Sequence, residues 1–128
     1  MKKIIVIPDS FKGSLSSLEV CNAIEEGILK VFKDAKIKKI PVADGGEGTV
    51  DSILYATGGK IKKVKVKNPL GEIVEAKYGI IDNNKAVIEM AEASGLTLVK
   101  EKNPLKSSTY GTGELIKDAI ENGIKEIL

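Results

Sequence analysis

The sequence predicts an α/β fold: a parallel β-α-β unit followed by the start of a second α/β subdomain with antiparallel strands. In the first unit a short apolar, β-branched run, Ile4–Ile7, precedes a helical pattern and then a second strand-like run. This order is typical of parallel strands joined by a right-handed crossover. After Gly59 the strand-like runs are separated only by short turns, which favours antiparallel pairing and therefore a second subdomain.

The elements of the first unit have recognisable ends. Ile4–Ile7 stops at Pro8, and its continuous apolar character is that of a strand buried on both faces. Ser16 and Glu19 have the spacing of a capping box, which predicts that a helix begins there. The apolar stripe predicted for this helix contains Leu18, Cys21, Ile24, Ile28 and Val31. A second strand is predicted over Ile37–Val42.

A short helix over Thr49–Thr57, stopped by Gly58 and Gly59, ends the first unit. The second subdomain is predicted to contain strands over Ile61–Val66, Ile73–Ile81 and Ala86–Met90, a helix over Glu114–Asn122, and the start of a strand over Ile124–Leu128. We therefore expect residues 1–59 to be the N-terminal part of one domain and residues 60–128 the beginning of another. Because the chain stops as it enters a strand, we also expect it to be cut short.

The composition of the chain excludes several functional classes. The chain of 128 residues has 20 basic and 18 acidic residues and only 4% aromatic residues, so neither nucleic acid nor a membrane is an expected partner. It has no histidine, which excludes a Ser-His-Asp or Cys-His centre within these residues, and one cysteine, which allows no internal disulfide. The apolar N-terminal run is too short for a signal peptide, so a cytoplasmic protein is expected.

The glycine-rich stretch after the second strand is the strongest candidate site. Its glycines allow the backbone to take positive φ and to approach a ligand closely, and the helix that follows directs free N–H groups towards it. Asp44 and Glu47, in the same stretch, suit a metal ion, a hydroxyl group or the capping of their own helix. Loops that follow parallel strands leave the same edge of the sheet, so we expect Asp9, Ser10 and Lys12 to face the same crevice.

Each of these residues also has a purely structural interpretation. Asp9 and Lys12 are equally compatible with an exposed ion pair within one loop. Glu89 and Ser94 lie near the end of a predicted strand and suit ordinary polar positions at a turn. The stretch from Thr109 to Gly113 is as compatible with the cap of a helix as with a loop that binds a ligand.

Three segments together resemble one family. They are Pro8–Ser16, Pro41–Thr49 and Thr109–Leu115, with Met90–Leu96 between the second and the third. With these motifs the whole chain resembles the N-terminal part of the bacterial type I glycerate kinases. The resemblance implies a Rossmann-like domain with a second domain inserted into it and an active site in the cleft between them. It also implies ATP-dependent phosphorylation of D-glycerate, usually to 2-phosphoglycerate, with Mg²⁺.

The resemblance also assigns roles to residues of this sequence. The catalytic residues would be Asp9, Lys12 and Asp44. The substrate-binding residues would be Ser10, Gly45, Gly46, Glu47 and Ser94. The nucleotide phosphates would be bound by Thr109, Gly111, Thr112 and Gly113. The metal ligands stay open, with Asp44, Glu47 and Glu89 as candidates.

Members of this family are much longer, so the 128 residues alone are expected to be inactive. One alternative is a non-catalytic module that binds a small hydroxy acid or a nucleotide. Another is an incomplete domain that needs a complementary chain, or a homo-oligomer, to finish its sheet.

Overall fold

The first two strands lie side by side and parallel, as predicted. In the computed structural model, which describes residues 1–128, β1 (Lys3–Val6) pairs with β2 (Lys36–Lys39), and α1 (Ser17–Val31) connects them. The prediction placed the end of β2 too late, at Val42. Beyond Ile40, whose N–H donates to the Val6 carbonyl, the chain leaves the ladder to form the glycine-rich loop.

The start of α1 confirms the predicted capping box. The Glu19 N–H donates to Ser16 Oγ at 3.3 Å, and the Ser16 N–H donates to Glu19 Oε2 at 2.7 Å. The predicted apolar stripe is only partly buried. Cys21 is fully buried, but the core-facing side also contains Ser17 and Val20. Leu18, Ile24 and Val31 are exposed, because no other element of the chain covers that side of the helix.

The second sheet has four strands in the order of the sequence. They are β3 (Lys60–Lys67), β4 (Ile73–Ile81), β5 (Lys85–Val87) and β6 (Glu126–Ile127). The first three pair antiparallel, as the short turns predict, whereas β6 pairs parallel to β5. The mixed sheet therefore contains its own crossover, which runs from β5 through two helices to β6.

The turn between β3 and β4 is held by one buried side chain. Asn68 is 2% exposed, and its Oδ1 accepts the N–H groups of Leu70 and Glu72, both at 3.0 Å. Its Nδ2 donates to Glu72 Oε2 at 2.9 Å, and its N–H donates to the Glu72 carbonyl. These bonds satisfy the polar groups of the turn and fix the register of the longest hairpin in the molecule.

Three further helices surround the second sheet. They are α2 (Thr49–Thr57), α3 (Met90–Ser94) and α4 (Tyr110–Glu121), with a short 3₁₀ turn at Leu96–Leu98. The prediction of a strand reaching Met90 was wrong, because β5 ends at Val87 and a helix begins at Met90. The predicted start of α4 was also late, since the helix already begins at Tyr110. None of the helices has the length and apolar character needed to cross a membrane.

The main core lies between the second sheet and α3 and α4. Its eight buried members are Val66, Ala76, Tyr78, Ala86, Ala93, Leu115, Ala119 and Ile124. A smaller cluster joins Val50 and Leu54 of α2 to Val87 of β5. Helix α2 therefore packs on the second sheet, although it precedes residue 60 in the chain. A domain boundary at residues 59 and 60 stays a prediction.

Candidate active site

The loops that follow β1 and β2 leave the same edge of the first sheet, because the two strands are parallel. One buried hydroxyl joins them: Ser17 Oγ donates to the Pro8 carbonyl at 2.6 Å and accepts the Val42 N–H at 3.0 Å. Ser17 is 6% exposed and occupies the first turn of α1. The structure thus brings together the two loops that contain Asp9 and Asp44.

A cleft of about 530 Å³ opens beside these loops, between the start of α1, helix α2 and the start of β3. Ser10 and Glu47, both predicted to bind substrate, line it. Other polar side chains that line it are Ser16, Ser17, Asp51, Ser52, Tyr55 and Glu92. The cleft is therefore rich in hydroxyl groups and carboxylates, which suits the binding of a hydroxylated ligand or a cation.

Three predicted catalytic residues lie on the loops but are not part of the cleft wall. Asp9, Lys12 and Asp44 are exposed. Asp9 Oδ1 accepts the N–H of Ser10 at 2.6 Å, and Asp44 Oδ1 accepts the N–H of Gly46 at 2.9 Å. In each carboxylate one oxygen thus orders the local loop, and the second oxygen makes no hydrogen bond within the chain.

The glycine-rich loop needs glycine at two positions. Gly45 and Gly48 have φ values of 99° and 89°, in the left-handed region that other residues rarely adopt. Gly48 is also the N-cap of α2 and has no side chain with which to cap the helix. Neither Asp44 nor Glu47 replaces that cap. The cap comes from Glu89, whose Oε1 accepts the Gly48 N–H and whose Oε2 accepts the Val50 N–H, both at 3.1 Å.

Carboxylates cluster where α2 meets α3. Burial raises the pKa of Glu89 above its ordinary value, although the N–H groups of Val50, Gly48 and Thr49 act in the opposite direction. Burial also raises the pKa of Glu92 on α3, against the attraction of Lys77. Lys77 Nζ lies 2.7 Å from Asp51 Oδ1 and 3.8 Å from Glu92 Oε1, so this one ammonium group partly balances the cluster.

A second cleft, of about 640 Å³, lies beside the start of α4. Its polar wall contains the predicted residues Ser94 and Thr109, together with Lys102, Asn103, Ser107 and Ser108. The hydroxyl oxygens of Ser94 and Thr112 are 2.7 Å apart. The structure therefore brings Ser94 next to the predicted nucleotide-binding stretch. Hydroxyl groups and a lysine are the groups expected around an anion.

The predicted nucleotide-binding stretch is the first turn of a helix rather than a loop. Thr109 is the N-cap of α4, and Gly111, Thr112 and Gly113 lie inside the helix. Gly111 is buried and packs against the backbone of β3, where a Cβ atom would overlap the Lys67 carbonyl oxygen. Gly111 thus has a packing reason to be glycine, in addition to any contact with a ligand.

The two clefts share no wall residue, but α3 connects them. Glu92 of this helix lines the first cleft, and Ser94 lines the second. The residue before α3 is Glu89, which holds the start of α2. Ser17, Glu92 and Lys102 are among the polar residues of the clefts that were not predicted from the sequence. Ser17 directly follows the N-cap residue Ser16, and this position was a usable signal for it. Glu92 lies within the segment Met90–Leu96 that is part of the family resemblance, whereas Lys102 lies in no motif.

The carboxylates allow only a sparse metal site. No three Cys, Asp or Glu side chains come together in a group that could hold a metal ion. Both oxygens of Glu89 already accept N–H groups of α2, which makes Glu89 a poor ligand. Asp44 and Glu47 are exposed and lie three residues apart on one loop. They fit the pattern of Mg²⁺, which typically uses one or two protein carboxylates together with substrate phosphates.

The known proteins that this chain resembles belong to one family. The family model described as the glycerate kinase family matches residues 4–128. The chain is 54% identical over 131 residues to a glycerate kinase of Halalkalibacterium halodurans. It is 50% identical over 129 residues to the glycerate 2-kinase of Escherichia coli. The two alignments cover 100% and 98% of this chain, and 34% of each relative.

A solved structure has the same fold over this region. It is the crystal structure of a Salmonella typhimurium LT2 protein provisionally assigned as glycerate kinase 2, and it superposes with a TM-score of 0.74 at 50% identity. The match covers 98% of this chain and 34% of that protein. The chain therefore spans about one third of the length of the relatives that it matches.

Proposed function

The chain belongs to the glycerate kinase family, and we propose that it supplies part of the active site of an enzyme that transfers a phosphoryl group from ATP to D-glycerate. The observation that carries the proposal is the family match over residues 4–128, with identities of 50% and above to glycerate kinases. The product would be a phosphoglycerate, with 2-phosphoglycerate as the proposed isomer. ATP as a substrate and the single cysteine fit a cytoplasmic enzyme.

We assign the substrate to the first cleft and its loops. Glycerate has a carboxylate and two hydroxyl groups. Lys12 would neutralise the carboxylate or a phosphate, while Ser10, Glu47 and the amides of the glycine-rich loop would hold the hydroxyl groups. Asp44 or Asp9 would accept the proton of the attacking hydroxyl. The hydroxyl oxygen then bonds to the γ-phosphorus, the bond from that phosphorus to the β–γ bridging oxygen breaks, and ADP leaves.

We assign the nucleotide phosphates to the second cleft. The hydroxyl groups of Thr109 and Thr112, the amides at the start of α4 and Lys102 would bind the negatively charged oxygens. Where Asp9 is the base, Asp44 and Glu47 would hold Mg²⁺; where Asp44 is the base, Glu47 would hold it, and in either case the ion would neutralise charge on the phosphates. Phosphoryl transfer depends mainly on positioning and on charge neutralisation, and these groups supply both.

The test is a coupled assay of ADP release with D-glycerate and Mg-ATP. It compares the 128-residue chain with a version extended to the full length of the relatives. We expect activity only in the longer protein, because the chain covers 34% of its relatives. Absence of activity in two well-folded proteins would contradict the proposal and favour a non-catalytic binding module.

In the longer protein, Asp44→Asn should lower kcat by roughly 100-fold or more, the range for loss of a general base. Asp34→Asn is the matched control, because Asp34 is exposed in the turn between α1 and β2, at the end of the β1-α1-β2 layer (the first layer) that is opposite to the glycine-rich loop. Circular dichroism checks that both variants fold. A near-normal rate for a folded Asp44→Asn protein would remove Asp44 from the site.

One observation favours a second interpretation, in which the 128 residues form an incomplete domain that needs a complementary chain. Large apolar side chains of the first layer are exposed, and they include Ile5, Ile7, Leu18, Ile24, Val31 and Phe32. Burial of such a surface stabilises a protein by about 25 cal/mol per Å². A complementary chain added in trans should then raise the melting temperature of the 128-residue chain and restore kinase activity.

A further inference from the structure

Helix α2 begins without a cap of its own. Its N-cap, Gly48, has a left-handed backbone and no side chain, although the first N–H groups of any helix need acceptors. The acceptors come from Glu89, which lies 41 residues beyond Gly48 in the chain, between β5 and α3. Its carboxylate bridges the Gly48 and Val50 N–H groups, both at 3.1 Å. Glu89, which is not part of the glycine-rich loop, thus fixes the end of that loop at the start of α2.

The Glu89 carboxylate uses both of its oxygens in this contact. Glu89 is 3% exposed, and each of its two oxygens accepts one of the α2 amides. It is also the N-cap residue of α3, with its carbonyl accepting the Glu92 N–H. One residue therefore fixes the start of α2 with its side chain and the start of α3 with its backbone.

These contacts connect the two clefts. Helix α2 follows the glycine-rich loop that contains Asp44 and Glu47, and α3 leads to Ser94, whose hydroxyl contacts that of Thr112. We propose that Glu89 is a positioning residue, which holds the glycine-rich loop in the geometry that binds substrate and sets it relative to α3. The catalytic consequence rests on the proposed glycerate kinase function. The positioning itself does not, and it can be measured separately.

The positioning is tested by amide hydrogen exchange of the 128-residue chain, followed by NMR. In Glu89→Gln one acceptor oxygen becomes an NH₂ group, which cannot accept a backbone N–H. We expect exchange at Gly48 and Val50 to accelerate by at least tenfold. Glu75→Gln is the matched control, because Glu75 loses the same charge but is exposed and pairs only with Lys63. Unchanged exchange at both amides in Glu89→Gln would overturn the proposal.

The role in the reaction is tested in the full-length protein. We expect Glu89→Gln to raise KM for glycerate and to lower kcat, each by at least threefold, with a smaller change in KM for ATP, because Glu89 does not line the second cleft. A residue that only stabilises the fold would not separate the two substrates in this way. Equal changes in both KM values, or no change in kinetics, would overturn the role. Glu75→Gln should behave like the unmodified enzyme.

Two outcomes remain distinguishable. If the unmodified full-length protein shows no kinase activity, the proposed function fails, and the exchange experiment still decides whether Glu89 positions the loop. If Glu89→Gln does not fold, Glu89→Asp takes its place, because it keeps the charge but has a side chain shorter by one methylene. We expect Glu89→Asp to accelerate exchange at Gly48 and Val50 by at least threefold. Native exchange rates in a folded Glu89→Asp chain would overturn the proposal.

Discussion

At the scale of single residues, Glu89 stabilises the start of α2 by two hydrogen bonds, but burial of its carboxylate disfavours the charged form. Its carboxylate is buried, and the nearby charged groups are Asp51 on α2 and Glu92 on α3, both of which are paired with Lys77 on β4. Burial is the main cause that raises the pKa of Glu89, and the negative charge of Asp51 adds to it. The N–H groups of α2 offset only part of this rise.

This raised pKa makes stability depend on pH. The folded chain keeps a proton on Glu89 at pH values where the unfolded chain, with an ordinary pKa near 4.5, has lost it. The folded state therefore binds more protons, so the free energy of unfolding should fall as pH rises from about 4.5 through the folded pKa. Urea unfolding across this window should give a shallower fall for Glu89→Gln, with the remainder due to Glu92, whose pKa is also raised. Identical slopes for the two proteins would contradict the assignment.

At the scale of elements, the start of α4 joins packing to the second cleft. Two glycines in its first turns have different surroundings. A Cβ on Gly111 would overlap the Lys67 carbonyl oxygen of β3, whereas a Cβ on Gly113 would meet no atom within 4 Å. The close approach of the helix to β3 therefore depends on one glycine and not on the other.

The two glycines predict opposite effects of alanine. Gly111→Ala should lower the free energy of unfolding by about 1–3 kcal/mol, because the helix must move away from β3. Gly113→Ala should raise it by about 0.5–1 kcal/mol, because alanine loses less backbone entropy in a helix. Urea unfolding of the 128-residue chain measures both changes. Stabilisation of similar size in both variants would show that helix propensity, and not the contact with Lys67, decides the effect.

Elements with local signals were predictable from the sequence. The capping box of Ser16 and Glu19 located the start of α1, and the hairpin around Asn68 followed from its turn residues. Elements that depend on tertiary contacts were not. Helix α3 has only five residues, and its N-cap is Glu89. It is too short for a helical periodicity of apolar residues to predict it. The start of α4 was missed because two glycines looked like a loop.

In the candidate site, too, the features set by chain order were predictable and those set by tertiary contacts were not. Parallel strands predicted that the loops of Asp9 and Asp44 would leave one sheet edge, since this follows from chain order alone. The cap that Glu89 gives to α2 spans 41 residues, and a sequence without an alignment contains no trace of such a pair. The roles of the predicted site residues stay predictions.

At the scale of the whole molecule, the two layers are unequally buried. The eight-residue core belongs entirely to the second sheet and its helices. The first layer contributes Val6, Val20 and Cys21 to the buried hydrophobic residues, while many of its larger apolar side chains are exposed. Regions with few buried apolar contacts open at a lower free energy than the rest of a protein. We therefore expect the β1-α1-β2 layer to open before the second sheet.

The single cysteine reports this opening. Cys21 is fully buried on α1, so a thiol reagent reaches it only when the first layer opens. Labelling of Cys21 should be at least tenfold faster than labelling of a cysteine placed in the main core by Ala76→Cys in a Cys21→Ala background. Ala76 is 1% exposed, which makes the two sites comparable in burial. Equal labelling rates would show that the chain opens as one unit.

Strand β3 forms one edge of the second sheet and contains lysines at positions 60, 62, 63, 65 and 67, of which Lys62 and Lys63 form ion pairs with Asp118 and Glu75. A second copy that added its own β3 there would bring like charges opposite one another, which opposes strand addition. The Lys67 N–H is in addition already bonded to Glu114 Oε2 at 2.7 Å. An exposed edge strand is where aggregation by strand pairing usually begins. The lysines of β3 oppose such pairing, so we expect any self-association of this chain to use another surface.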